Sequence, residues 1–189
     1  MQRLHQEDFC QALGYPGELK YESQGGPSLG AMARLLRDLA LGPAALQGFL
    51  DAVVFSALIG NADAHAKNLS LLVDRQGRRR LAPLYDLVPT VALPESLVDR
   101  TPALRIGAAE RIDAITDDDW RAFARAAGYA PGFVLRRVDS LAAAVLAGLP
   151  RAIEELVAQG ADRERLRSGG DAIEAQVRML RRTASLPAR

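Results

Sequence analysis

FSALIGNADAHAKNLSLL, residues 55–72, is the one stretch in which several ionisable side chains follow a long apolar approach at meaningful spacing. Gly60 supplies the stop expected after a buried helix. The loop NADAHAKN then presents Asp63, His65, Lys67 and Asn68 before a second apolar run, Leu69 to Val73. Asn61 at its start is a residue type that satisfies a turn through its own side chain.

Downstream, Leu69–Val73 and Arg80–Leu84 flank DRQGRRR with Gly77 at its tip, which predicts a β-hairpin. That hairpin would carry Asp86, in LAPLYDLVPT, back toward Asp63 and Asn68. Upstream, Pro43 fits the first turn of a helix to about Ile59, whose Leu46, Phe49, Leu50, Val53, Val54 and Leu58 form an apolar surface broad enough for the core. Ser28 fits the N-cap of a helix over 29–41, with Met32, Leu35, Leu36 and Leu39 on one face. Residues 6–13 read as a short helix, followed by a turn-rich, mobile loop, GYPGELKYESQGGPS.

Beyond Thr90, PTVALPESLVDRTP is irregular, and ALRIG at 103–107 looks strand-like. Thr116 followed by three aspartates and Trp120 marks a helix start, with acids against the positive end of the dipole and Trp120 as a core anchor. Helices are expected at 131–147, 150–159 and 162–183, the last two parted by Gly160. The expected fold is mainly α with a small β-hairpin, a single domain over 1–189.

Composition bounds the function classes. At 189 residues and 49% hydrophobic, the chain has enough apolar side chain for a substantial core. With 24 Lys plus Arg against 23 Asp plus Glu, a net charge of +1 gives no global pull toward nucleic acid or membrane, so any phosphate handling is local. No apolar run approaches the roughly 20 residues of a bilayer span, and MQRLHQEDFC has no apolar signal core. The lone Cys10 has no intrachain disulfide partner, which fits a reducing cytoplasm, and it reads as a small buried hydrophobe.

The chemistry rests on Asp63 and Asn68, separated by four residues as the catalytic aspartate and metal-binding asparagine are in a protein-kinase catalytic loop. Phosphoryl transfer needs an acceptor for a hydroxyl proton and oxygen ligands for Mg²⁺. Asp63 suits the first role and Asn68 with Asp86 the second, while Lys67 would neutralise phosphate oxygens and His65 would bond a phosphate or the turn's own carbonyl. A zinc-hydrolase reading of Asp63 and His65 lacks a third ligand, the only other histidine being His5 in an unrelated segment.

HQEDFCQALGYPGELKYESQGGP, LIGNADAHAKNLSLL and LAPLYDLVPT together resemble the C-terminal domain of the HipA family, the serine/threonine-kinase toxins of bacterial toxin–antitoxin modules, over most of residues 3–130. The resemblance implies a protein-kinase-like C-lobe in which Asp63 is catalytic. It further implies that His65, Lys67, Asn68, Tyr85 and Asp86 contact the nucleotide and that Asn68 and Asp86 hold Mg²⁺. Mg-ATP is then the phosphoryl donor and a protein hydroxyl the acceptor, with an aminoacyl-tRNA synthetase as one implied substrate. A HipB-like helix-turn-helix antitoxin is the implied partner, with DNA reached only through it.

A kinase also needs an N-lobe with a Gly-rich loop and a strand lysine, and neither precedes Asp63. The chain is therefore expected to be a truncated piece of a longer protein, a gene remnant, or a subunit whose N-lobe is a neighbouring gene product, and alone it is expected to be inactive. The rival expectation is a non-catalytic binding module that regulates an antitoxin or a full-length relative. The basic run Arg75 to Arg80 reads as a solvated hairpin tip, and RMLRRTASLPAR as a basic helix end whose Arg181, Arg182 and Ser185 resemble a phosphorylatable segment.

Overall fold

A computed structural model describes residues 4–183; Ser185 and its neighbours lie outside the described residues. The core is laid around the central helix α3 (Gly42–Leu58), whose Phe49, Leu50, Val54 and Leu58 are fully buried. Around it pack α2 (Leu29–Asp38), the long α5 (Pro131–Ala158) and α6 (Arg163–Thr183). Helix α4 (Asp117–Ala126) packs on α2 and α5 and sends Trp120, 1% exposed, into the same core. Its start is the expected one, with the Thr116 hydroxyl and the Asp119 carboxylate capping each other's backbone.

A three-stranded antiparallel sheet flanks this bundle in the order β1-β2-β3, formed by β1 (His5–Asp8), β2 (Ser70–Val73) and β3 (Arg79–Leu81). The hairpin is where the sequence places it, but its second arm stops at Leu81. The third strand is a correction: of the helix expected over 6–13, only α1 (Phe9–Ala12) is helical. Asp8 explains the switch, since its carboxylate caps α1 by accepting from the Gln11 amide, and a helix cannot extend back through its own cap. Residues before the cap pair instead with β2, Asp8 opposite Ser70.

Two further expectations change. The segment 103–107 forms no strand; the Ala103 amide donates to the Ala62 carbonyl (2.8 Å) and its carbonyl accepts from Glu22 (3.0 Å), so it runs as a single-residue stitch between two loops. Helices expected at 131–147 and 150–159 are one, α5, running through Pro150. Proline removes one helical hydrogen bond and crowds the preceding turn. The freed carbonyl is that of half-buried Leu146, and Ala147 and Gly148 beside it are exposed, so that turn has room to yield.

Cys10 is buried and its thiol pKa is raised, by burial first and by Asp8 second, as suits an unreactive core residue. Among the described residues, no helix is long and apolar enough to cross a membrane.

Candidate functional site

The loop that leaves α3 is folded by its own polar side chains. Gly60 adopts φ +67°, and a Cβ there would lie 2.2 Å from Val91, so only glycine lets the loop turn this close to the 90–92 segment. The Thr90 hydroxyl bridges the turn, donating to the Gly60 carbonyl (2.7 Å) and accepting from the Ala62 amide (2.9 Å). Asn61 is buried and makes the expected Asx turn, its Oδ1 accepting from the Asp63 amide at 3.2 Å. Its Nδ2 reaches the Asp86 carbonyl at 3.4 Å, so one asparagine ties together the two loops that carry the acids.

Asn68 and Asp86 meet directly. The Oδ1 of Asn68 accepts from the His65 amide (2.9 Å), which fixes the orientation of its amide group and turns Nδ2 toward Asp86 Oδ2 (2.5 Å). Asp86 sits at φ +55°, a left-handed conformation that aspartate tolerates better than most side chains. This pairing leaves Asp86 Oδ1 and the second lone pair of Asn68 Oδ1 for a cation. Among the described residues, no three His, Cys, Asp or Glu side chains gather as a metal cluster. The donor set is one carboxylate and one neutral oxygen, which suits a hard ion such as Mg²⁺ that takes its other ligands from water and phosphate oxygens.

Asp63 is exposed, and its Oδ1 accepts a hydrogen bond from the Tyr21 hydroxyl at 2.9 Å. Lys67 points elsewhere: its ammonium is bonded to Asp8 at 2.7 Å, a contact that raises the lysine pKa. Tyr85 uses its hydroxyl to hold the loop from beneath, donating to the Lys67 carbonyl and accepting from Ser70, both at 2.5 Å.

His65 is 8% exposed and lies 3.0 Å through Nε2 from the Lys20 ammonium, with its ring edge-on to Tyr21 at 5.6 Å between centroids. An ammonium can only donate, so Nε2 accepts and the ring is neutral with its proton on Nδ1. Burial and the Lys20 charge push its pKa below 6.5, and the carboxylates of Asp63 and Asp86, both near enough to be felt, oppose them only in part. Above pH 6.5 folded and unfolded chains both carry neutral His65, and this contribution to stability is complete. As pH falls below 6.5 the unfolded chain takes up a proton that the folded chain refuses, and stability is lost down through the folded pKa. An NMR titration of the two histidines is expected to give His65 a midpoint below 6.5; a midpoint at or above that value contradicts the Lys20 contact.

Two concavities flank the loop. One is floored by Asn61, His65, Asn68 and Asp86 and walled by α3 side chains Val53 and Ala57. The other holds Asp63 and Tyr21 and is walled by Leu93, Leu97, Asp99 and Thr101. Pro102 and Ala103 border both.

Comparison with known proteins gives the domain a family and a fold. The sequence profile of the HipA-like C-terminal domain matches residues 1–149. The chain belongs to that family. This HipA-like domain is 39% identical over 180 residues to Y4mE of Sinorhizobium fredii, described as a candidate kinase, covering 95% of this chain and 42% of that protein. It is 36% identical over 97 residues to the serine/threonine-protein kinase toxin HipA of Shewanella oneidensis, covering 46% of this chain and 22% of the toxin. In three dimensions it superposes with a TM-score of 0.79 on a chain of the Shewanella oneidensis complex of HipA, HipB and operator DNA, covering 98% of this chain and 47% of that one at 23% identity, a likeness of fold. The HipA-like domain thus spans less than half the length of the curated relatives it matches.

Several residues that shape the site escape the sequence reading. Lys20 and Tyr21 fall in the stretch read as a mobile loop, yet that stretch is stitched down: the Ala66 amide donates to the Lys20 carbonyl (3.2 Å), and the Arg105 amide to the Glu22 carboxylate (2.7 Å). Gly26 shows how tightly the stretch folds on itself, since a Cβ there would meet the Leu19 carbonyl at 2.3 Å, a contact that the sequence does not signal. Arg100, 6% exposed, clamps the carbonyls of Thr90, Val91 and Leu93 and so fixes the far wall of the Asp63 cleft.

Proposed function

We propose that this HipA-like domain is the catalytic and metal-holding lobe of a serine/threonine protein kinase that uses Mg-ATP. The observation that carries the reading is the meeting of Asn68 with Asp86, on a frame that Asn61 also ties to the Asp63 loop. Asp63 receives or orients the acceptor hydroxyl's proton through a carboxylate open to solvent. Asn68 and Asp86 present oxygens to Mg²⁺, which, when bound, offsets charge on the phosphates. His65 acts from behind the loop: its buried, neutral ring rests on Lys20, and its backbone amide donates to Asn68 Oδ1. Lys67 meets a phosphate only by leaving Asp8, and Tyr85 offers the nucleotide its ring while its hydroxyl stays on the loop.

An N-lobe covering the nucleotide, in the same polypeptide or in another, would complete the site; the domain spans 42% of the length of Y4mE. A HipB-like antitoxin is the partner we propose, supported by the complex in which the structural neighbour is seen. A translation enzyme is the substrate we propose, on the family resemblance alone. The test mixes the domain with a HipA-type N-lobe, Mg²⁺, γ-labelled ATP and a seryl protein acceptor. Label on serine or threonine that depends on both parts supports the reading, and no label from an assembly shown to bind ATP contradicts it.

A further inference from the structure

Of the 24 Lys and Arg side chains only two are lysines, Lys20 and Lys67, and both stand against the NADAHAKN loop. They are held differently. Lys67 is committed to the Asp8 carboxylate at 2.7 Å. The half-buried Lys20 lies 3.0 Å from the neutral Nε2 of His65 and 4.9 Å from the centre of the Tyr21 ring, and no carboxylate among the described residues pairs with it. An ammonium carries three donors, so a single bond to a ring nitrogen leaves two of them for another acceptor. Its place is set by the backbone around it: the Lys20 carbonyl accepts from the Ala66 amide (3.2 Å), and the hydroxyl of the next residue, Tyr21, holds Asp63 (2.9 Å).

The two rings that Lys20 touches belong to different concavities. His65 borders the one that holds Asn68 and Asp86, and Tyr21 borders the one that holds Asp63. The ammonium therefore lies between the proposed metal ligands and the proposed proton acceptor, where a phosphoryl group passes from donor to acceptor. Resting on the kinase reading above, we propose that Lys20, and not Lys67, is the cation that meets the transferred phosphoryl group. In that step the acceptor hydroxyl oxygen bonds to the γ-phosphorus while the bond from that phosphorus to the β,γ-bridging oxygen breaks. The hydroxyl proton goes to Asp63, and ADP leaves with the electron pair of the broken bond. Lys20 keeps its protons and donates to the equatorial oxygens, over which the charge of the transition state is spread. His65 orients the ammonium as a neutral acceptor, so the positive charge is aimed without being cancelled, as a carboxylate would cancel it. A compact ammonium with rotatable donors follows a phosphoryl group as its geometry changes, which the rigid fork of an arginine does less well.

The test uses the full chain in the two-lobe assembly with Mg²⁺, and single-turnover transfer from ATP and from its γ-thio analogue. Lys20→Met keeps the length of the stem and the backbone bond to Ala66, and it is expected to lower the ATP rate about 10²-fold. It is also expected to cut the ratio of the ATP rate to the thio rate about tenfold, because sulfur accepts the lysine's bond less well than oxygen and the variant has no such bond to lose. A loop displaced by the missing side chain slows both donors alike, so a fall in rate with an unchanged ratio overturns the proposal. A ratio that Lys67→Met lowers and Lys20→Met does not gives the phosphoryl contact to Lys67 and overturns it as well. An active parent whose Lys20→Met variant stays within about threefold removes the role of Lys20 alone. A parent assembly that binds ATP and transfers nothing removes the kinase reading, and the role of Lys20 with it.

Discussion

Asp63→Ala is expected to lower kcat for phosphoryl transfer about 10³-fold in an assembly that carries both lobes, with KM for ATP within about twofold. The asymmetry follows from position. Asp63 lies on an exposed turn in the cleft it shares with Tyr21, not in the pocket floored by Asn68 and Asp86, so removing it takes away the proposed partner of the acceptor hydroxyl and leaves the proposed metal ligands in place. Folding should survive, because the turn is held by the Asn61 side chain, the Thr90 hydroxyl and Gly60, none of which is touched. The lost Tyr21 contact costs about 1 kcal/mol. Steady-state kinetics beside a thermal melt check this. Turnover within tenfold of the parent contradicts the role given to Asp63.

Asp86→Ala is expected to be as severe by a different route. The substitution removes the one carboxylate of the proposed metal site, frees the Asn68 amide and places alanine at φ +55°. The left-handed backbone alone costs about 1–2 kcal/mol, so an inactive variant by itself would not separate chemistry from a sprung loop. Asp86→Asn resolves the two. Asparagine accepts the left-handed conformation and keeps an oxygen for Asn68, but it lacks the charge. If the carboxylate holds the ion, Asp86→Asn loses about 10²-fold or more in turnover, and raising Mg²⁺ partly restores it. Should Asp86→Asn match the parent at every Mg²⁺ concentration, the metal role fails and only a backbone role remains.

Much of this was legible in the chain. The α3 helix, the hairpin and the Thr116 cap are local patterns of hydrophobic spacing and capping chemistry, and these read directly. The spacing of Asp63 and Asn68, and the return of Asp86 by the hairpin, rest on the same local logic. What sequence left hidden is long-range. That His5–Asp8 forms a strand depends on β2, more than 60 residues away, and on Asp8 serving at once as helix cap and partner of Lys67. That Lys20 and Tyr21 reach His65 and Asp63 depends on hydrogen bonds to Ala66 and Ala103, which no composition or period encodes. The break expected between 147 and 150 fails for the opposite reason: the proline rule is local, and an exposed turn lets the helix run through Pro150.

The central claim is that Asn68 and Asp86 enclose one divalent-ion site facing a nucleotide. Mn²⁺ with ATP, titrated into the labelled domain, reads that site through paramagnetic broadening, which falls steeply with distance from the ion. The account predicts that the Asn68 side-chain amide and the backbone amides of residues 85–87 broaden first, followed by the 63–66 turn, and that Asp86→Asn weakens the effect. Broadening centred on another acidic cluster, such as Asp117 to Asp119, with the Asn68 amide unchanged, would contradict it.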